Sequence, residues 1–91
     1  MRYWLVLAPG VAGALERLHG PIQVALRGVI LALADNPRPS GSRKLSGIDL
    51  YRLRLQVDGV GWRILYQIRD AERAVRIARV ARRDEATYRR L

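Results

Sequence analysis

Arg52 and Arg54 stand two residues apart in Tyr51-Arg52-Leu53-Arg54-Leu55-Gln56-Val57, a stretch that alternates apolar and polar side chains. In a strand that spacing puts both guanidinium groups on one face. Arg63 sits in a second alternating stretch, Trp62 to Arg69, and joins the same face if the strand register allows it. Guanidinium forks grip phosphate oxygens in pairs and stack on bases. Facing arginines on strands about 4.8 Å apart repel one another unless an anion lies between them. The plainer reading is a solvated outer face, since half of such a strand must be polar. Other site chemistries lack their residues. There is no cysteine for a nucleophile, a thiolate metal site or a disulfide, and one histidine, His19, makes no pair. The eight carboxylates are scattered, with no spacing that marks a metal site.

Charge points the same way. The 91 residues carry 17 Lys and Arg against 8 Asp and Glu, a net charge of +9, and Lys44 is the one lysine. Residues 1–37 are net +1 and residues 38–91 net +8. A basic half on a small domain fits nucleic acid, a membrane surface or an acidic protein. No segment is long and apolar enough to span a bilayer, so a cytoplasmic protein of one domain, 1–91, is expected.

The elements that must carry these side chains follow from periodicity. Arg2 to Leu7 reads as a strand ending at Pro9-Gly10, with Tyr3 and Leu5 on one face. Val11, Leu15 and Leu18 predict a helix from Val11 to His19, closed by Gly20. A second helix starts at Pro21 and runs to about Ala34 on Ile22, Leu26, Val29, Ile30 and Leu33. Asp35 to Ser42 is loop. Strands then follow at Leu50–Val57, Trp62–Arg69 and Ala74–Val80, with Asp58-Gly59-Val60-Gly61 as a hairpin connection and a polar, helix-compatible tail from Asp84. The fold class is α+β: a strand, a helical hairpin, then a β-meander in an antiparallel sheet with helices on one face. Trp4 and Trp62 are read as core, with nucleic-acid stacking the other reading. Tyr51 and Tyr66 are read as structural, Lys44 as flanking a strand or touching phosphate, and His19 as the end of the first helix.

Lys44-Leu45, Gly47, Leu50-Tyr51-Arg52-Leu53-Arg54, Trp62-Arg63-Ile64-Leu65-Tyr66, Arg79-Val80-Ala81-Arg82-Arg83 and Tyr88 together resemble the RelE/ParE toxin superfamily. The resemblance covers nearly the whole chain and favours the RelE branch. It implies a microbial-RNase-type fold and a toxin of a type II toxin–antitoxin system. The activity implied is ribosome-dependent, metal-independent cleavage of mRNA without a cofactor, by attack of a 2′-hydroxyl on the adjacent phosphate. By that resemblance Arg52, Arg54, Arg63, Arg83 and Tyr88 are the catalytic set, and Arg43, Lys44, Arg79 and Arg82 bind RNA. Arginine does not give up its proton at accessible pH, so Asp84, Glu85 or the ribosome would supply a base. The implied partners are the ribosome, mRNA and a cognate antitoxin whose acidic or amphipathic segment covers the basic surface in a hetero-oligomer. The alternatives are a ParE-like inhibitor of DNA gyrase, acting by protein contact, and a degenerate RNA-binding toxin domain.

Overall fold

The computed structural model of the chain describes residues 2–83. It contains β1 (Trp4–Leu7), α1 (Val11–Glu16), α2 (Gly20–Asp35), β2 (Ser42–Lys44), β3 (Tyr51–Val57), β4 (Val60–Arg69) and β5 (Ala74–Arg82). The five strands form one sheet in the order β1-β5-β4-β3-β2. The polar tail from Asp84, with Tyr88, lies outside the described residues.

The helices bury the stripes that periodicity marks. Leu26, Ile30, Leu33 and Ala34 of α2 are buried, as are Val11 and Leu15 of α1. They meet Leu53, Trp62, Ile64, Tyr66, Val75 and Ile77 from one face of the sheet. Pro21 lies in the first turn of α2, where its missing N–H is no loss. The break between the helices differs from expectation. α1 stops at Glu16, and His19 has an extended backbone (ψ 139°) as the N-cap of α2. Gly20 therefore opens the second helix instead of closing the first.

Two features of the sheet also depart from the sequence reading. β1 pairs parallel with β5, from Trp4 opposite Ala74 to Leu7 opposite Ile77, so the sheet is mixed and only the meander is antiparallel. The meander leaves one edge of β5 open, and β1 fills it while packing Leu5 on the core. β2 extends the other edge, with Arg43 opposite Arg52, in a segment too short to show periodicity.

The β3–β4 connection is two residues, not four. Asp58 (φ 50°) and Gly59 (φ 80°) both take positive φ, the requirement of a type I′ turn. Val60 and Gly61 belong to β4, opposite Val57 and Gln56. This turn fixes the register. A connection spanning 58–61 would bring Arg54 opposite Leu65; the tight turn brings it opposite Arg63.

Candidate anion-binding face

The register builds two basic rows on the sheet face opposite the helices. Arg54 faces Arg63, which faces Ala81; beside them run Arg43, Arg52, Leu65 and Arg79. Directly opposed side chains on neighbouring strands have Cβ atoms about 5 Å apart. Guanidinium groups at that spacing repel, and an anion seated among them turns the repulsion into attraction.

Arg79 reaches this face through an irregularity in β5. Leu65 pairs with Arg79 but Tyr66 pairs with Ile77, so Ala78 is an extra residue. Without it Arg79 would share the core face of Val75 and Ile77. The same shift carries Arg83 over. Arg83 N–H donates to Gly61 O at 2.9 Å, and its side chain lies against Gly61. A Cβ on Gly61 would stand 3.0 Å from Arg83 Cδ and 3.2 Å from Arg83 Cβ. A cavity of about 190 Å³ opens here, lined by Arg54, Gln56, Gly61, Trp62 and Arg83 among others. The sequence reading treats Gly61 as a turn residue and Ala78 as ordinary strand. The only signal for Ala78 is the break in alternation at Ile77-Ala78-Arg79-Val80.

Arg43, Arg52, Arg54, Arg63, Arg79 and Arg83 are thus gathered in one region of the sheet. Two other candidates are not. Lys44 pairs with Tyr51 on the helix side, and its Nζ donates to Ile48 O at 3.0 Å, bracing the loop before β3. Arg82 pairs with Trp62, also on the helix side, and lines a cavity of about 450 Å³ with Val11, Leu15, Arg17 and Leu18. Tyr88 and the acids Asp84 and Glu85 lie outside the described residues. Trp62 is buried in the core, and its Nε1–H meets no acceptor among the described residues. Trp4 is not core: it is 75% exposed on β1. Among the described residues no cluster of His, Asp or Glu is arranged to hold a metal.

Three ion pairs lie at the other end of the sheet. Arg2 meets Asp35 at 3.0 Å, Arg69 meets Asp49 at 2.9 Å and Arg38 meets Asp70 at 2.8 Å. Asp70 also accepts from Tyr3 Oη at 2.7 Å. The Arg38 hydrogen bonds, reinforced by Tyr3, hold the Asp70 carboxyl down at a pKa of about 2. Asp70 in turn raises the Arg38 and Tyr3 pKa values. Arg38 covers the Tyr51 ring at 5.5 Å and donates to its hydroxyl at 3.3 Å. Tyr51 stacks on Tyr66, whose buried hydroxyl donates to Pro37 O at 2.8 Å. Burial pushes the Tyr66 phenol up. Both tyrosines are structural: they tie the 36–40 loop to β3 and β4.

Solved structures share this fold. E. coli toxin RelE, as a double arginine-to-alanine mutant in the free state, is 24% identical with a TM-score of 0.74, covering 100% of both chains. The RelBE2 toxin–antitoxin complex of Mycobacterium tuberculosis is 22% identical, with a TM-score of 0.76 over 91% of this chain and 100% of that one. The archaeal RelE–RelB complex of Pyrococcus horikoshii is 23% identical, with a TM-score of 0.74 over 94% and 100%. No curated protein matches the sequence. The sequence model of the ParE toxin of type II toxin–antitoxin systems matches residues 7–87. With nearly the whole chain inside that match, the protein belongs to the ParE toxin family of the RelE/ParE superfamily and is a toxin of a type II toxin–antitoxin system.

Proposed function

We propose that the protein is a ribosome-dependent endoribonuclease that cuts mRNA. The observation that carries this reading is Arg54 facing Arg63 across β3 and β4, with Arg83 packed over Gly61 beside them. In the reaction a 2′-hydroxyl oxygen attacks the adjacent phosphorus and the bond to the 5′-oxygen breaks. The products are a cyclic phosphate and a free 5′-hydroxyl. Negative charge builds on the phosphoryl oxygens, and guanidinium groups fixed beforehand stabilise it. Arg63 and Arg83 take that part, while Arg52 and Arg54 orient the scissile phosphate. Tyr88 stacks on a base or donates a proton. The proton of the 2′-hydroxyl goes to Asp84, Glu85 or the ribosome, because arginine accepts none. Arg43 and Arg79 extend the phosphate contacts. A cognate antitoxin of acidic or amphipathic character is the partner, in line with the neighbours solved with one. Covering the arginines would inhibit and stabilise in a single event.

A second reading, inhibition of DNA gyrase by protein contact, has one finding in its favour: the matching family model is that of ParE. Primer extension on mRNA in a translating extract separates the two. New cuts at ribosomal A sites are expected with the wild type, absent without ribosomes and lost in an Arg63→Ala, Arg83→Ala double mutant. Removing a group that stabilises developing charge costs about 100- to 1,000-fold in rate. Intact mRNA with blocked growth and trapped gyrase–DNA complexes would select the second reading. Intact mRNA with normal growth would leave the degenerate RNA-binding domain.

A further inference from the structure

We propose that Trp4 is a stacking platform for one base of a single-stranded RNA that runs along the outer face of the sheet; this rests on the nuclease reading above. Leu5 packs on the core, so its neighbours Trp4 and Val6 stand on the opposite face, the one that carries the arginines. Trp4 is 75% exposed and Val6 47%. An indole held that far out adds little to the core, so the fold itself does not require it. Its neighbour in the ladder is Ala74, too small to cover the ring.

The surroundings select the occupant. Trp4 and Val6 are the two exposed large apolar side chains of β1 on this face, where the core of a protein interface is a contiguous apolar cluster. A planar ring beside a basic track is the composition of single-strand binding surfaces, where backbone phosphates follow the cations and bases stack on aromatics. Val6 faces Arg76 across the ladder, and Arg79 follows on the same strand face after the Ala78 irregularity. These two arginines lie between Trp4 and the Arg54–Arg63 pair. Ala74 and Ala81 mark the two ends of that path on β5, roughly 20 Å apart at the rise of a strand. Of the carboxylates at the Trp4 end, Asp49 and Asp70 are each held by an arginine, and Glu72 stands beside Arg73 in the β4–β5 turn, so cations match acids there.

The test uses the purified full chain and a fluorescent oligoribonucleotide of about eight nucleotides, within the span of one single-strand binding surface. Its riboses are 2′-O-methylated, which caps the nucleophilic hydroxyl and leaves binding alone. Trp4→Ala is expected to weaken binding at least about fivefold, the loss of one stacked base. Trp4→Phe, which keeps a ring, restores most of the affinity. The salt dependence stays that of the wild type in both, since no phosphate contact is removed. Wild-type tryptophan emission is quenched by the oligonucleotide, and this quenching is lost with Trp4, because Trp62 is buried. Unchanged affinity in Trp4→Ala would overturn the proposal. So would a wild type that does not bind the oligonucleotide, or a Trp4→Ala variant impaired only toward the antitoxin. A-site cleavage by the wild type is scored separately. Cleavage with Trp4-independent binding sinks the stacking role alone; Trp4-dependent binding without cleavage sustains it and removes the nuclease reading.

Discussion

Gly61 stands beneath Arg83 on the outer face, and its missing side chain is what Arg83 occupies. A methyl group there meets Arg83 Cδ at 3.0 Å and Arg83 Cβ at 3.2 Å; the outer part of the side chain can swing away, but Cβ moves only with its backbone, so the end of β5 must also give by a few tenths of an ångström. Gly61→Ala is therefore expected to lower stability by about 1 kcal/mol, the lower end of what an added methyl costs in a filled site. Under the nuclease reading it lowers cleavage about 10- to 100-fold, the usual cost of a positioning group moved by an ångström. Urea denaturation and primer extension on one protein preparation measure the two effects. At this scale residue types were legible in the sequence and orientations were not. The alternation of Arg52 and Arg54 shows in the sequence. That Lys44 and Arg82 turn to the helix side depends on pairings made across the sheet, with Tyr51 and Trp62.

Between elements, Asp70 is the knot that joins β1, the 36–40 loop and the β4–β5 turn, through Tyr3 and Arg38. Its folded pKa of about 2 lies below the ordinary 3.8. The group then stabilises the fold in full above about pH 4, and that contribution is lost as pH falls through about 2. Asp70→Asn should lower the denaturation midpoint at pH 7, with the gap to wild type closing toward pH 2. A constant gap across that range would show that shape, not charge, does the work. The strands and helices themselves follow period 2 and period 3.6, which is why their order could be read from the chain. The two-residue turn at Asp58-Gly59 and the extra Ala78 escaped that reading. The tight turn shifts the pairing by two residues, which leaves each strand's alternation unchanged, and the extra Ala78 shifts it by one, leaving no trace but the break at Ile77-Ala78-Arg79-Val80.

For the molecule as a whole, the sequence reading reached the two layers but not the closure of the sheet. No local pattern in Trp4–Leu7 names Ala74–Ile77 as its partner. That partnership joins the beginning of the chain to its last described strand, and β5 lies between β1 and the rest of the meander. A chain emerging from a ribosome consequently makes β1, α1 and α2 long before the strand that anchors them exists. Contacts of such sequence separation form late and slowly. Chains stalled before residue 74 are expected to be digested by pulse proteolysis, and chains released at full length to resist it. Under the nuclease reading, the order of synthesis then acts as a safeguard: an unfinished copy, or one cut short by a stop codon upstream of β5, has no assembled arginine face and does no harm to the cell that is making it.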